Sequence, residues 1–267
     1  MVRGLGALVL VVALVGCGSK APATTTAPPP PKPFRIVFPE GFTGSHMAVR
    51  VHDVAKIAAK EHRGRPHLSA KTYLAATGYH RVRGFGTKRL LLEGFLFPAT
   101  YDFLPQTTSA QLVHAQLQAF AVNWQHVNLA YARSKHLTAY DVLTIASMIE
   151  KEAVVPSERK LIAAVIYNRL HAHMPIGIDA TIRYGLGVPG TQPLTQSDLS
   201  SKNPYNTRLD PGLPPTPIAN PGLASMQAAA HPARVDYLYF VRKPDKRHHY
   251  FTASFNDFVN HEHLYGY

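Results

Sequence analysis

Leu143-Thr144-Ile145-Ala146-Ser147-Met148-Ile149-Glu150-Lys151-Glu152 reads as a helix that runs through a core and ends in carboxylates. Its start is marked just upstream. Thr138 is an N-cap residue, Asp141 stands at the capping-box position, and Leu137 and Val142 can close a hydrophobic staple. From Val142 the apolar side chains recur at Ile145 and Ile149, and the same spacing puts Glu152 on the core-directed face, whereas Glu150 and Lys151 point elsewhere. A carboxyl on an apolar face at a helix C-terminus loses solvation and meets the negative end of the dipole. Both effects raise its proton affinity, as a general acid near neutral pH requires. The spacing alone also fits a structural Glu neutralised by a nearby Arg or Lys.

Around this helix the chain has 267 residues, 46% of them hydrophobic, enough to bury a core in one or two domains. Met1-Val2-Arg3 and the apolar run from Leu5 to Val15 are too short for a stable membrane span and read as a signal-peptide core. The run closes in Leu14-Val15-Gly16-Cys17, similar to a bacterial lipobox in which the cysteine is lipidated; an uncleaved anchor or a simple secretory signal is the other reading. Cys17 is the only cysteine, which excludes an intrachain disulfide, a cysteine nucleophile and a cysteine-based metal site. Residues 18–33 form a Pro- and Thr-rich tether with four consecutive prolines from Pro28 to Pro31. The expected organisation is 1–17 signal or anchor, 18–33 tether, 34–92 a small α+β lead-in, and 93–267 the larger domain that carries the central helix.

The net charge of +12 would suit nucleic acid, but Lys and Arg are dispersed and no nucleic-acid motif is present. Export makes anionic lipid headgroups or wall polymers the better counter-charges, and solubility is the other reading of the surplus.

Phe34 to Phe38 alternates like a strand, and Met47 to Ala59 is an amphipathic helix. Ser69 caps a short helix through Ala76, Tyr79 to Arg89 is a basic loop, and Leu92 to Tyr101 is a structured loop beside a pocket. Thr107 to Lys135 reads as one long helix, with Trp124 in a packing role. Pro156 can open the helix that follows the central one, and Glu158 is favoured near its positive end. Ile176 to Gly187 mixes a strand-like pattern with polar groups. Rigid proline- and glycine-built loops follow at 203–207 and 212–222, suited to a carbohydrate groove and equally to a structural role. Leu223 to Ala230 is a short helix, Tyr237 to Arg242 and His249 to Phe251 form a hairpin around Pro244 to Arg247, and Phe255 to Tyr265 is a last helix. His248, His249, His261 and His263 lack an accompanying acidic set, so no metal site is read there.

Taken together, Glu93-Gly94 to Tyr101, Ile149 to Glu152 with Glu158-Arg159, Tyr167-Asn168-Arg169-Leu170, Asp179 to Gly185, Tyr205-Asn206-Thr207, Gly212 to Pro215 and Tyr237 to Val241 resemble, in order, the motifs of the endolytic murein transglycosylases of the MltG/YceG-like family. The resemblance covers about Phe34 to Phe251. It implies an α+β fold, a YceG-like catalytic domain with a mixed helix and strand core behind a truncated α/β lead-in. It also implies an enzyme anchored in the bacterial cell membrane and facing the wall; no cofactor is expected. Such an enzyme cleaves peptidoglycan glycan strands between N-acetylmuramic acid and N-acetylglucosamine and leaves a 1,6-anhydro end.

The family's catalytic acid falls on Glu152, the residue the helical stripe selects. By the same resemblance Asn168, Asp179, Thr181, Tyr184, Tyr205, Asn206 and Thr207 line the sugar groove and Glu93 shapes it. Penicillin-binding proteins or glycan polymerases are the implied partners. Departures from the family pattern are Ala99 for a usual Asp, Gly177 and Ala180 for Gln and Pro, Phe258-Val259 for His-Asn, and a lipobox with tether in place of a transmembrane helix and LysM-like module. Two alternatives stand beside this reading: a hydrolase pairing Glu152 with Asp179 or Glu158, and a non-catalytic wall-binding lipoprotein.

Overall fold

The computed structural model describes residues 32–61 and 65–267; the signal segment, Cys17 and nearly all of the tether lie outside the described residues. β1 (Phe34–Val37) alternates buried and exposed side chains and pairs antiparallel with β4 (Thr100–Phe103), Phe34 opposite Phe103 and Val37 opposite Thr100. Between them lie α1 (Gly44–Lys60), α2 (Ala70–Ala76), and the two-residue strands β2 (Tyr79–His80) and β3 (Leu90–Leu91), which close the basic loop. Ser69 caps α2 as expected, in a reciprocal capping box with Thr72. The β1–β4 ladder straddles position 92, where the sequence reading divides lead-in from catalytic domain, and Lys32–Tyr267 form one compact unit.

The single long helix expected from Thr107 to Lys135 is two helices, α3 (Ser109–Trp124) and α4 (Ala130–Ser134). The break has a local cause. Asn128 Oδ1 accepts the Ala130 N–H at 2.9 Å, so a side chain takes over a backbone donor and starts a new helix. Trp124 packs on Phe120 and Phe85, with ring centroids 5.4 and 5.0 Å away.

α5 (Ala139–Glu152) is the axis of the molecule. Its start is the expected capping box: Thr138 Oγ1 accepts the Asp141 N–H at 3.2 Å, and Asp141 Oδ2 accepts the Thr138 N–H at 2.8 Å. Every residue from Val142 to Ile149 is buried, so the helix is surrounded rather than packed on one stripe. A 3₁₀ turn at Pro156–Glu158 leads into α6 (Arg159–His171). α6 and the alanine-rich α9 (Leu223–Ala230) pack against α5, and the small side chains of α9 let the backbones approach closely.

The strand-like stretch before Gly187 is instead α7 (Asp179–Leu186), ended by Gly187 in the left-handed conformation at φ 69°. The misreading has a cause in the side chains: Ile176 and Ile178 are buried in the extended approach, whereas Ile178 and Ile182 repeat at helical spacing. After α8 (Gln196–Leu199) and the proline-rich loop, β5 (Tyr239–Arg242) pairs with β6 (His249–Thr252), and α10 (Phe255–Tyr265) covers the hairpin. Helices supply much of the core, β1 and β4 add Phe34, Ile36 and Phe103 to it, and the described strands pair as short two-stranded antiparallel ladders.

Candidate active site

α5 ends at Glu152 because Ala153 turns to extended backbone, ψ 110°. Glu152 therefore leaves the packed interior at the rim of a cleft of about 520 Å³, with only 14% of its side chain exposed. Burial raises its pKa above the ordinary carboxylate range, and Asp179 adds to the rise. Arg242, Lys151 and Arg208 oppose it. The closest cation is Arg242, whose Nη2 lies 3.8 Å from Glu152 Oε2. This is a loose ion pair inside the cleft, so the guanidinium restrains the carboxyl without enclosing it.

The opposite wall comes from α7 and the loops around it, with Gly177, Ile178, Asp179, Ala180 and Arg183, together with Arg208. Asp179 accepts from Arg208 Nε at 2.6 Å. Four basic residues, Lys151, Arg183, Arg208 and Arg242, thus line the cleft with two carboxyls, Glu152 and Asp179; Arg183 Nη1 donates to the Pro189 and Gln192 carbonyls at 3.0 and 2.6 Å, and Lys151 Nζ to the Gly41 carbonyl at 3.3 Å. Gly177 has φ 71°, a value that suits glycine, and a Cβ there would come within 2.9 Å of Arg169 Nη1. Arg169 fills the space a larger residue would need and bonds the Pro175 and Ile176 carbonyls at 3.2 and 2.8 Å.

Of the groove residues taken from the resemblance, Asp179 shares the cleft with Glu152. Thr181 and Thr207 lie behind its wall, buried and bonded hydroxyl to hydroxyl at 2.9 Å, with Thr207 Oγ1 accepting the Ile178 N–H at 3.2 Å. Asn206 is buried, its amide donating to the Leu199 and Ser201 carbonyls. Tyr205 and Tyr184 pack with ring centroids 5.2 Å apart, and the Tyr205 hydroxyl bonds Thr216 at 2.8 Å. Asn168 lines a separate cavity, its amide donating to the Val235 and Tyr237 carbonyls at 3.0 and 2.8 Å. Phe258, at one of the departures, stacks on Tyr239 with centroids 5.3 Å apart.

Glu93 is held in a different setting. The Gly44 N–H at the start of α1 reaches both its oxygens at 3.1 Å, Asn220 Nδ2 donates at 2.7 Å and the Tyr184 hydroxyl at 3.2 Å. Burial outweighs these donors and pushes its pKa up to about 7. Asn220 also accepts from the Gly94 and Leu96 N–H groups at 2.9 Å and donates to the Phe42 carbonyl. Glu93 and Asn220 therefore tie the first helix, the Glu93–Tyr101 loop and the proline-rich loop together.

Sequence reasoning missed the cleft groups Arg183, Arg208, Arg242 and His249, and it pointed Lys151 elsewhere, whereas Lys151 lines the same cleft as Glu152. His249 is anchored by Glu158, whose two oxygens take the His249 N–H at 2.9 Å and Nδ1 at 2.7 Å. The sequence signal for Arg242 and His249 was their symmetric position about the hairpin turn, which makes them cross-strand partners.

The YceG-like family model matches residues 21–263. The chain belongs to the YceG-like family. It is 40% identical over 153 residues to the endolytic murein transglycosylase of Bacillus subtilis strain 168, covering 57% of this chain and 42% of that protein. It is 38% identical over 159 residues to that of Streptococcus pneumoniae R6, covering 57% and 28%. The matched part is thus less than half the length of these relatives. A crystal structure of a YceG-like protein from Listeria monocytogenes superposes with a TM-score of 0.70 at 31% identity, over 87% of this chain and 76% of that one. The YceG-like α+β fold inferred from the sequence is therefore the fold of this protein.

Proposed function

We propose that this protein is an endolytic peptidoglycan lytic transglycosylase in which Glu152 acts first as general acid and then as general base. The observation that carries this reading is the setting of Glu152: a shielded carboxyl at the rim of a cleft, only loosely paired with Arg242, while both other candidate acids are tightly bonded to partners of their own. Asp179 is bonded to Arg208, and Glu158 is buried and bonded to His249. The names of the Bacillus and Streptococcus relatives support the same substrate.

Protonated Glu152 donates to the glycosidic oxygen as its bond to the muramic-acid C1 breaks, which leaves an oxocarbenium-like centre. The carboxylate so formed takes the proton of the C6 hydroxyl as that oxygen closes on C1. The proton leaves and returns, and no water or second enzymic carboxyl is consumed, unlike the carboxyl pair of ordinary glycosidases. Membrane anchoring through an acylated Cys17, with the catalytic unit outside the cytoplasm, completes the proposal. Incorporation of a palmitate analogue that is lost in Cys17→Ala tests the anchor. Digestion of purified sacculi by wild type and Glu152→Gln tests the activity: soluble fragments from the wild type alone are expected, and sacculi left uncut by a folded wild type would refute it.

A further inference from the structure

The β5–β6 hairpin brings a cation to the candidate acid in a way that a permanent salt bridge would not. Arg242 stands opposite His249 in the ladder, and His249 is fixed by two bonds to Glu158. The strand position is therefore rigid while the Arg242 side chain is 38% exposed and its nearest contact to Glu152 is 3.8 Å. Its guanidinium can turn from Glu152 to another anion in the same cleft at small cost, because a loose, partly solvated pair holds little energy. The surrounding charges favour such an anion. Lys151 on α5, Arg183 on α7 and Arg208 line the cleft, and Asp179 is already taken by Arg208.

We infer that Arg242 is a carboxylate-recognition group: it pairs with Glu152 in the unliganded enzyme and transfers to a carboxylate on the muramyl residue of the entering glycan strand. This rests on the proposed function, and it assigns the substrate class as glycans that carry a carboxylate beside the scissile bond. That carboxylate has two sources, the lactyl group itself on peptide-free strands and the stem peptide on peptide-bearing ones. The transfer has a consequence for the acid. Among the groups that oppose protonation of Glu152, Arg242 is the largest, so its departure raises the proton affinity of the carboxylate, which takes up from solvent the proton it then donates to the correct substrate. Recognition thereby arms the acid, and Arg242 serves the chemistry as a positioning residue.

The test uses the full chain and three glycan preparations: peptide-bearing strands, amidase-stripped strands with free lactyl carboxylates, and stripped strands with those carboxylates amidated. Wild type is expected to show kcat/KM about tenfold lower on the neutralised strands than on the better of the other two, the size of one charge-assisted hydrogen bond; which of those two is preferred identifies the source. In Arg242→Gln the discrimination disappears, whereas Arg242→Lys retains part of it.

The pH profiles carry a readout that a structural role would not move. In wild type the basic limb of kcat lies at higher pH than that of kcat/KM. In Arg242→Gln the kcat/KM limb moves up to meet it, since removing the cation raises the pKa of free Glu152. Equal losses on all three glycans with an unmoved basic limb would overturn the inference. Should wild type cleave none of them, equilibrium binding of the three glycans still decides it: preference for the carboxylate forms that Arg242→Gln abolishes supports recognition while refuting transglycosylation, and equal binding refutes recognition as well.

Discussion

Glu93 and Glu152 are both carboxyls that burial pushes toward protonation, yet their surroundings differ in kind. Around Glu93 three donors converge from three separate segments, at Gly44, Asn220 and Tyr184, all within 3.2 Å. Around Glu152 the nearest charged group is a guanidinium at 3.8 Å, and a cleft opens beside it. A carboxyl whose lone pairs are filled by fixed donors holds structure together and cannot reach a substrate. One that is desolvated but loosely partnered can exchange its proton with whatever enters.

The comparison breaks first if the two substitutions have the same consequence. Glu152→Gln is expected to lower the rate of fragment release from sacculi by about a thousandfold, within the usual range for loss of a general acid, while its thermal unfolding stays within about 1 kcal/mol of wild type. Glu93→Ala should do the reverse. It strands the donors of Asn220, Tyr184 and Gly44 and is expected to cost on the order of 3 kcal/mol in denaturant unfolding, with the activity per folded molecule largely kept.

A finer test uses pH. The native pKa of Glu93 lies near 7, against an ordinary value of 4.5. The native state therefore binds the proton more tightly than the unfolded chain. Glu93's favourable contribution is complete below about pH 4.5, declines as pH rises through about 7, and is then constant, a total on the order of 3 kcal/mol. Glu152 and Glu40 are shifted in the same direction, so the informative quantity is the difference between wild type and Glu93→Gln. The stability of wild type minus that of the variant should fall with pH across that window and run flat above it. The smallest effect is expected of Tyr184→Phe, which removes one of the donors at 3.2 Å: about 1 kcal/mol of stability, and a further rise in the Glu93 pKa that extends the sloping window to higher pH.

What could be read from the chain followed the range of the signals. The capping box at Thr138 and Asp141, the start of α2 at Ser69, the hairpin and the last helix are encoded by residues within a few positions of one another, and they appear where the sequence puts them. Helical spacing put Glu152 on the inward face and Lys151 elsewhere, yet α5 is buried all round from Val142 to Ile149 and both residues line one cleft. The break at Asn128 and the helix at Asp179–Leu186 were misread because one side-chain turn and one isoleucine repeat each fit two local structures.

The charge environment of the cleft was beyond sequence reach for a different reason. Glu158 and His249 are 91 residues apart, and Arg208 and Asp179 are 29 apart, so only the packed fold brings them together. The residues transferred by resemblance divide likewise: Asp179 reaches the cleft, while Thr181, Asn206 and Thr207 spend their polar groups on the loops that form its wall.

A digest of glycan strands in ¹⁸O-labelled water, read by mass spectrometry of the new ends, tests the role of Glu152 most directly. Acid and base in one side chain predict ends that are one water lighter than reducing sugars and carry no label. Reducing ends bearing one ¹⁸O would show that water attacks C1, and would contradict the account.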